Sequence, residues 1–416
     1  MIKTCGDNNC FQLGKESNNK SLPGTLVRCP PLVLDIDITK ISSLSTFSEH
    51  TVIVTNDGEA YGVGDNRDLR ISGSLPLANL SEMIKIDLYD NQGQKCHIIS
   101  AVCGSCYTLY QFTSPDQRDK NKLAYASSRI DNKSPLILEI GDSNVVSLFG
   151  GFDNAAAIDD DGSIIYVPPT ISKQKGYKIN AVSLPDHEKA VSLACCKDYV
   201  FALGQSGRVF ISQVGSPNLK FEQQTRITEQ LQDKEVIHIS GSYSQCFAVT
   251  VDGYVFGFGT SYNGSIGIGT STKRFDKFIE ISILNGRGIK KAYAGSGHSL
   301  FQSIDGKVFA CGENRFGQLG LNCDPSLDPF EVVETTIEKG AMFCIAGLAL
   351  SVFFIGFEPP RCPNRRVERF VDEENSRLRA EVRFLRNEIE SMRKKVEDCQ
   401  EREKIYRKAV LDLVDI

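Results

Sequence analysis

One stretch constrains the fold of this chain more than any other: Gly297 to Gly320, GHSLFQSIDGKVFACGENRFGQLG, recurs in imperfect copies through the first 357 residues. An apolar strand, Ser299 to Ile304, runs into Asp305-Gly306, which reads as a two-residue hairpin turn with both positions at positive φ. A second strand, Lys307 to Cys311, follows, and Gly312-Glu-Asn314 bends the chain away. Phe316-Gly-Gln-Leu-Gly320 then places glycines where side chains would block a bend or a close backbone approach. A single hairpin of this kind cannot bury its own apolar face, so the copies must stack on one another.

Counting back from each turn, the places equivalent to His298 are His50, Cys106, Asn154, Tyr199, Gln245 and Leu350, with successive spacings of 56, 48, 45, 46, 53 and 52. Short strands and glycine turns at that period are the pattern of propeller blades, not of helical repeats, and seven copies predict seven blades. The turns recur at Asp57-Gly58, Asp161-Gly162, Ser206-Gly207, Asp252-Gly253 and Asp305-Gly306. In the second copy the strand from Tyr107 to Phe112 meets Thr113-Ser-Pro-Asp-Gln-Arg-Asp-Lys-Asn-Lys122, which reads as a protruding polar loop before a return strand at Leu123 to Ser127. The seventh copy, Ala346 to Ile355, lacks a partner strand, while Met1 to Gly14 superimposes without gaps on Lys307 to Gly320, the second half of a repeat. The two segments are expected to pair in one mixed blade and close the ring, removing open sheet edges. The expected fold class is therefore an all-β, seven-bladed β-propeller over residues 1–357, closed by pairing of N-terminal and C-terminal strands.

The Gly-x-x-His-Ser, Asp-Gly and Gly-x-Asn-x-x-Gly-Gln-Leu-Gly elements at 295–320 resemble the repeat of the regulator of chromosome condensation family, with weaker forms at Gly6 to Gly14, Gly64-Asp-Asn66 and Gly259 to Gly267. The resemblance implies a seven-bladed propeller, in agreement with the count. It also implies guanine nucleotide exchange on a Ran-like small GTPase, in which a propeller element is wedged against the nucleotide pocket. The chain contains no tryptophan, on which WD and kelch repeats rely.

After a Pro-containing linker at 358–366, residues 367–416 read as a coiled-coil helix. Heptad positions d include Val371, Leu378, Leu385 and Met392, and positions a include Asn375, Val382, Ile389 and Val396. In a parallel pair Glu374 faces Arg379, Glu381 faces Arg386 and Glu388 faces Arg393, whereas an antiparallel pair opposes like charges. With β-branched residues and one Asn at a, the pattern predicts a parallel two-stranded homodimer, or pairing with a similar helix.

Charge and motifs narrow the function. The stretch before residue 361 carries 32 basic against 39 acidic residues, so no basic face for direct nucleic-acid binding is evident. The longest uncharged run, Ala341 to Phe357, matches a repeat strand and falls short of a membrane span. Fourteen cysteines and no hydrophobic leader suit small apolar thiols in the cytoplasm, the nucleus being the other compartment compatible with them. Cys103-Gly-Ser-Cys106 and Cys195-Cys196 have no second ligand pair and fall on repeat strands, and His50 and His298 share a repeat position, so all read as structural. Asp159-Asp160-Asp161 reads as a solvated hairpin tip, and Gly257 to Gly269 lacks the lysine of a phosphate loop. No catalytic residues, metal ligands or cofactor are assigned. The second-blade insertion, Pro115, Asp116, Gln117, Arg118, Asp119 and Lys120, is the candidate partner-binding element. The sequence thus points to a protein-interaction scaffold, with exchange on a small GTPase as the alternative.

Overall fold

The computed structural model describes residues 2–13, 38–73, 75–127, 135–169, 179–215, 219–270, 273–321, 329, 331–337 and 341–355. The chain divides into two units, Met1–Cys362 and Pro363–Ile416. The second unit, with the coiled-coil positions Val371, Asn375, Leu378, Val382, Leu385, Ile389, Met392 and Val396, lies outside the described residues.

The first unit is a seven-bladed propeller. Blades 1 to 6 begin at Ile41, His97, Val145, Ala190, Val236 and Ile289, each an antiparallel sheet of three or four strands in chain order. Blade 7 joins Ala341–Ala346 and Leu350–Ile355 to Ile2–Gly6 from the other end of the sequence. The register is Gly6 opposite Leu350 and Ile2 opposite Phe354, just as Gly312 lies opposite His298 in blade 6. The mixed blade expected from the superposition of Met1–Gly14 on Lys307–Gly320 therefore forms, in the matching register. The uncharged run after Ala341 supplies two of its strands.

The core is divided among the blade interfaces. Seven buried apolar clusters each join one blade to the next, for example Phe201, Phe258 and Phe278 between blades 4 and 5, and Leu44, Ile53, Leu350 and Phe354 between blades 7 and 1. Alternation along each strand sends one set of side chains to the preceding interface and the other to the following one, so second strands such as His50–Thr55 and His298–Ser303 are buried throughout. All seven first strands carry a register shift near their start, from Ile41/Ser43 in blade 1 to Ala341/Phe343 in blade 7. A bulge there bends the strand and increases its local twist.

The hairpin turns differ from the sequence expectation. In blade 6 the strand ends at Ser303, Ile304 to Gly306 form the turn, and only Gly306 takes positive φ (82°). Gly306 N donates to Ser303 O and Ser303 N to Lys307 O. This is a three-residue connection with its last residue left-handed, and the Asp before the glycine needs no positive φ. Asp305 is retained because its carboxylate accepts from Ser303 Oγ at 2.5 Å, and Asp57 does the same with Thr55 Oγ1 at 2.5 Å. Asp159 similarly accepts from the N–H groups of Asp161 and Ser163, so the acidic triplet sits at a hairpin tip.

Blade 2 requires two corrections. Its register places Cys103 opposite Thr108, so Tyr107, not Cys106, occupies the His298 place. The insertion is not an irregular loop: strands Thr108–Ser114 and Gln117–Ala126 close on a two-residue turn, Pro115-Asp116, with Ser114 opposite Gln117. A shift between Phe112 and Ser114 absorbs the extra residues on the return strand.

Candidate functional site

The repeat motifs account for the architecture before any site can be sought. At the His298 place, side chains reach into the next blade. His50 Nε2 lies 3.0 Å from Thr108 Oγ1, Tyr107 Oη donates to Asn154 O at 2.6 Å, and Asn154 Nδ2 donates to Cys196 O at 3.0 Å. Gln245 Nε2 donates to Gly295 O at 2.8 Å, and His298 Nε2 lies 2.9 Å from Ser351 Oγ. Thr108 spends its hydroxyl proton on Arg70 O at 2.6 Å, so His50 must be the donor through Nε2 and is neutral at Nδ1. Burial, reinforced by Arg70, lowers the His50 pKa to about 3, and burial lowers that of His298 to about 4. These are clasps between blades.

The Gly-x-Asn-x-x-Gly-Gln-Leu-Gly element is explained in the same way. Gly6, Gly64, Gly259 and Gly312 have φ between 99° and 111°. A Cβ on Gly64 would sit 2.3 Å from Glu49 O. Asn8, Asn66 and Asn314 fold the following loop by accepting, through Oδ1, from the N–H of Leu13, Ile71 and Leu319. Gln12 and Gln318 accept from Cys10 N and Phe316 N, each at 3.0 Å.

The thiols are structural as well. Cys103 Sγ donates to Ser45 O at 3.3 Å, and burial pushes its pKa up to about 12. Cys196 Sγ donates to Gln245 O at 3.2 Å. The ten described cysteines are free thiols. One group with metal-ligand character occurs among the described residues, Cys10, Glu49 and Asp65, whose ligand atoms lie within 4.8 Å of one another. Its carboxylates are already taken: Arg70, 7% exposed, contacts Glu49 at 3.0 Å and Asp65 at 3.3 Å, and Arg67 meets Asp65 at 2.9 Å. Two guanidinium groups at that distance oppose a cation, so the cluster does not fit a metal ion.

The feature that departs from the repeat is on the face bearing the hairpin turns, between blades 1 and 2. A cleft of about 560 Å³ is bounded by the Asp57-Gly58 turn, Glu59, Lys95 to His97, and Thr113 to Pro115 at the extended hairpin. The His97 ring packs against the turn so closely that a Cβ on Gly58 would fall 2.0 Å from its Nδ1, and Ile98 N donates to Gly58 O at 3.0 Å. Lys95 is held by Asp87 at 2.9 Å and Glu59 at 3.5 Å, and Lys85 also pairs with Glu59. Pro115 and Asp116 are exposed at the tip, with Pro115 on the cleft. The base of the hairpin is pinned to blade 3: Asn121 Nδ2 donates to Val145 O and Asn121 N to Asn144 Oδ1, each at 2.8 Å, while Lys120 Nζ reaches Asp142 at 3.2 Å. Gln117, Arg118 and Asp119 continue the return strand, and their side chains lie outside the description. The insertion is thus an anchored arm with a free tip.

Of the six candidate residues in the insertion, the structure brings Pro115 to the cleft, sets Asp116 beside it at the tip and ties Lys120 to the neighbouring blade. Sequence reading missed Asp57, Glu59, Lys95 and His97. They are 40 residues apart along the chain and meet only through blade packing. The one available signal was that the insertion shares a face with the Asp57-Gly58 turn in the adjacent copy. No helix among the described residues is long and apolar enough to cross a membrane.

Comparison with known proteins agrees with the fold. Residues 289–318 match the regulator of chromosome condensation (RCC1) repeat. The chain is 35% identical over 103 residues to the human E3 ubiquitin-protein ligase HERC2, covering 23% of this chain and 2% of that protein. It is 31% identical over 97 residues to the human probable E3 ubiquitin-protein ligase HERC4, covering 23% of this chain and 9% of that protein. The chain therefore spans a small fraction of the length of these relatives. Among solved structures, Prp20p of Saccharomyces cerevisiae, which binds Gsp1p and histones, superimposes with a TM-score of 0.65 at 16% identity, over 90% of this chain and 94% of that one. Human WBSCR16 does so with a TM-score of 0.65 at 14% identity, over 85% and 99%. One segment, residues 289–318, thus matches the regulator of chromosome condensation repeat, and the seven-bladed ring shares its fold with these neighbours.

Proposed function

We propose that the chain is a non-enzymatic protein-interaction scaffold, in which the propeller binds a protein partner at the blade 1–blade 2 rim and the 367–416 helix dimerises it in parallel. What carries this reading is the second-blade hairpin, a polar arm anchored on blade 3 whose tip stands beside a cleft on an otherwise regular ring. A rigid scaffold that fixes the base of a recognition element lowers the ordering cost of binding. Two propellers on one stalk would add avidity for a multivalent target. The heptads and the three Glu–Arg pairings support the dimer.

The second reading is guanine nucleotide exchange on a Ran-like small GTPase, and the fold likeness to Prp20p, a binder of Gsp1p, favours it. The hairpin tip is the element that would act as the wedge. Labelled-nucleotide release from a panel of small GTPases, with the intact chain and with Pro115 to Lys120 replaced by a short turn, separates the two. A scaffold leaves release at background in both. Acceleration that vanishes with the tip would overturn the scaffold reading in favour of exchange. For the dimer, light scattering at micromolar concentration should give twice the 45.9 kDa chain mass, and a monomer would exclude self-pairing.

A further inference from the structure

The cleft beside the hairpin has the chemistry of a specific ligand. Two carboxylates, Asp57 and Glu59, and one ammonium group, Lys95, line it. Around them Asp87 pairs with Lys95 and Lys85 with Glu59, while the charges of Asp90, Asp116 and Lys122 act on Cys96 and that of Lys40 acts on Asp57. Lys95 and Lys85 are already engaged by Glu59 and Asp87. The Asp57 carboxyl is held below the usual carboxylate range, chiefly by the Thr55 hydroxyl, so it faces the cleft ionised at neutral pH. Beneath the rim, Ser114 is 1% exposed and lines the cleft. Its hydroxyl lies near the Asp90 carboxylate and the Cys96 thiol without a hydrogen bond of good geometry to either. A buried hydroxyl left in that state carries a cost that a donor entering the cleft would relieve. The walls meanwhile are apolar enough for an alkyl stem: the Pro115 ring, the bare Gly58 turn and the His97 ring. The volume lies within the range of about 300 to 1,000 Å³ over which clefts hold small ligands or single side chains.

We propose that this cleft is a socket for one basic side chain, Arg or Lys, presented by a peptide segment of a protein partner. The proposal rests on the scaffold reading of the hairpin for its biological setting, but the socket itself can be tested without any partner. The long stem of such a residue would run along Pro115 and His97 and carry its cationic head towards Asp57 and the Ser114 hydroxyl, an arrangement in which the stem buries apolar surface while the head is paired. An acidic segment would meet the excess of carboxylates, and nucleic acid would be repelled by the same groups.

The probe is Nα-acetyl-arginine amide, titrated into the full chain while the Cε1–H resonance of His97 is followed by NMR and assigned with the His97→Asn variant. Nα-acetyl-citrulline amide, the same shape without the charge, and Nα-acetyl-glutamate amide serve as controls. The socket predicts a saturable shift of His97 with the arginine probe and none with the other two. Asp57→Asn should weaken the arginine affinity at least fivefold. Because Asp57 also caps its own turn, Asp116→Asn at the exposed tip provides an independent variant, expected to weaken binding about two- to threefold, as for a rim charge. Equal response to citrulline, no saturable response to arginine, or affinity indifferent to both substitutions overturns the socket. A socket that binds the arginine probe, in a chain whose partner binding is indifferent to removal of the hairpin tip, keeps this inference and rejects the scaffold reading of the hairpin.

Discussion

A buried imidazole at a blade junction does work that other side chains can share. His298 bonds Ser351 across the blade 6–7 junction, while one blade earlier Gln245 makes the equivalent link to Gly295. His298→Ala should therefore lose about 2 to 4 kcal/mol, the sum of a cavity and an orphaned hydroxyl. His298→Gln should recover most of it in denaturant melts at pH 7. The two also differ in pH dependence from the wild type. In the unfolded chain each histidine titrates near ~6.5. In the folded chain burial lowers His238 and His298 to about 4 and His50 to about 3. Between those values the unfolded chain binds more protons, so the stability from these residues is complete above about 6.5 and falls as pH drops towards 4, by about 1.4 kcal/mol per pH unit per histidine. Melts between pH 7 and 4.5 should show that decline, shallower by one histidine in His298→Gln. An unchanged slope would mean that His298 is not held neutral. Backbone positions can be graded by the same logic. Gly64→Ala combines a φ of 100° with a carbonyl 2.3 Å from the new Cβ, whereas Gly93→Ala, at 77°, meets nothing within 4 Å. Thermal melts should show a loss of about 3 kcal/mol or more for the first and about 1 kcal/mol for the second.

Strands and hairpins explain both what could be read from the sequence and where reading failed. Strand existence, order and the Ile2–Gly6 pairing followed from an alternating apolar pattern and a glycine at a fixed offset, because both report on local backbone geometry. The turn was read one residue too short, since Ile304 continues the apolar pattern although its side chain is 64% exposed. Cys106 was aligned in place of Tyr107 because counting back from a turn glycine assumes a hairpin of constant length, and blade 2 extends its hairpin to Pro115-Asp116. The seven bulges left no mark in the residue pattern at all, and the cleft could not be seen because it is made by neighbouring blades. The hairpin itself can be tested through its anchor. Asn121→Ala removes the side-chain bond to Val145 O and leaves the backbone bond from residue 121 to Asn144 Oδ1, while Val145 O keeps its bond from Gln111 Nε2. Global stability should fall by only about 1 kcal/mol. Limited proteolysis should nevertheless cut the hairpin several times faster than in the wild type, and equal cutting rates would show that the arm is rigid without its tether.

The ring as a whole depends on one pairing that joins distant parts of the sequence. Every interface cluster involves two blades, so each blade is stabilised from both sides, and opening any one junction exposes two apolar faces at once. Six of the blades are continuous in sequence and can re-form locally. Blade 7 cannot, because Ile2–Gly6 pairs with Leu350–Phe354 from the far end of the sequence, which makes it the strand pairing with the largest loop to close. Removing residues 1–6 deletes an entire strand pairing together with Ile2 from the blade 7–blade 1 cluster and Cys5 from the blade 6–blade 7 cluster. It also uncovers one face of Leu350, Val352 and Phe354, which are no more than 1% exposed in the closed ring. A propeller held at one junction by a single strand should respond as a whole: the truncated chain is expected to melt at least 10 °C lower and to bind a hydrophobic dye before the main transition. Adding back a synthetic peptide of residues 1–14 should raise the melting temperature in a concentration-dependent way, since a segment that binds only the folded ring shifts the equilibrium by mass action. If truncation leaves the melting temperature unchanged, the ring is held shut by the interface clusters alone and the shared blade contributes order without stability.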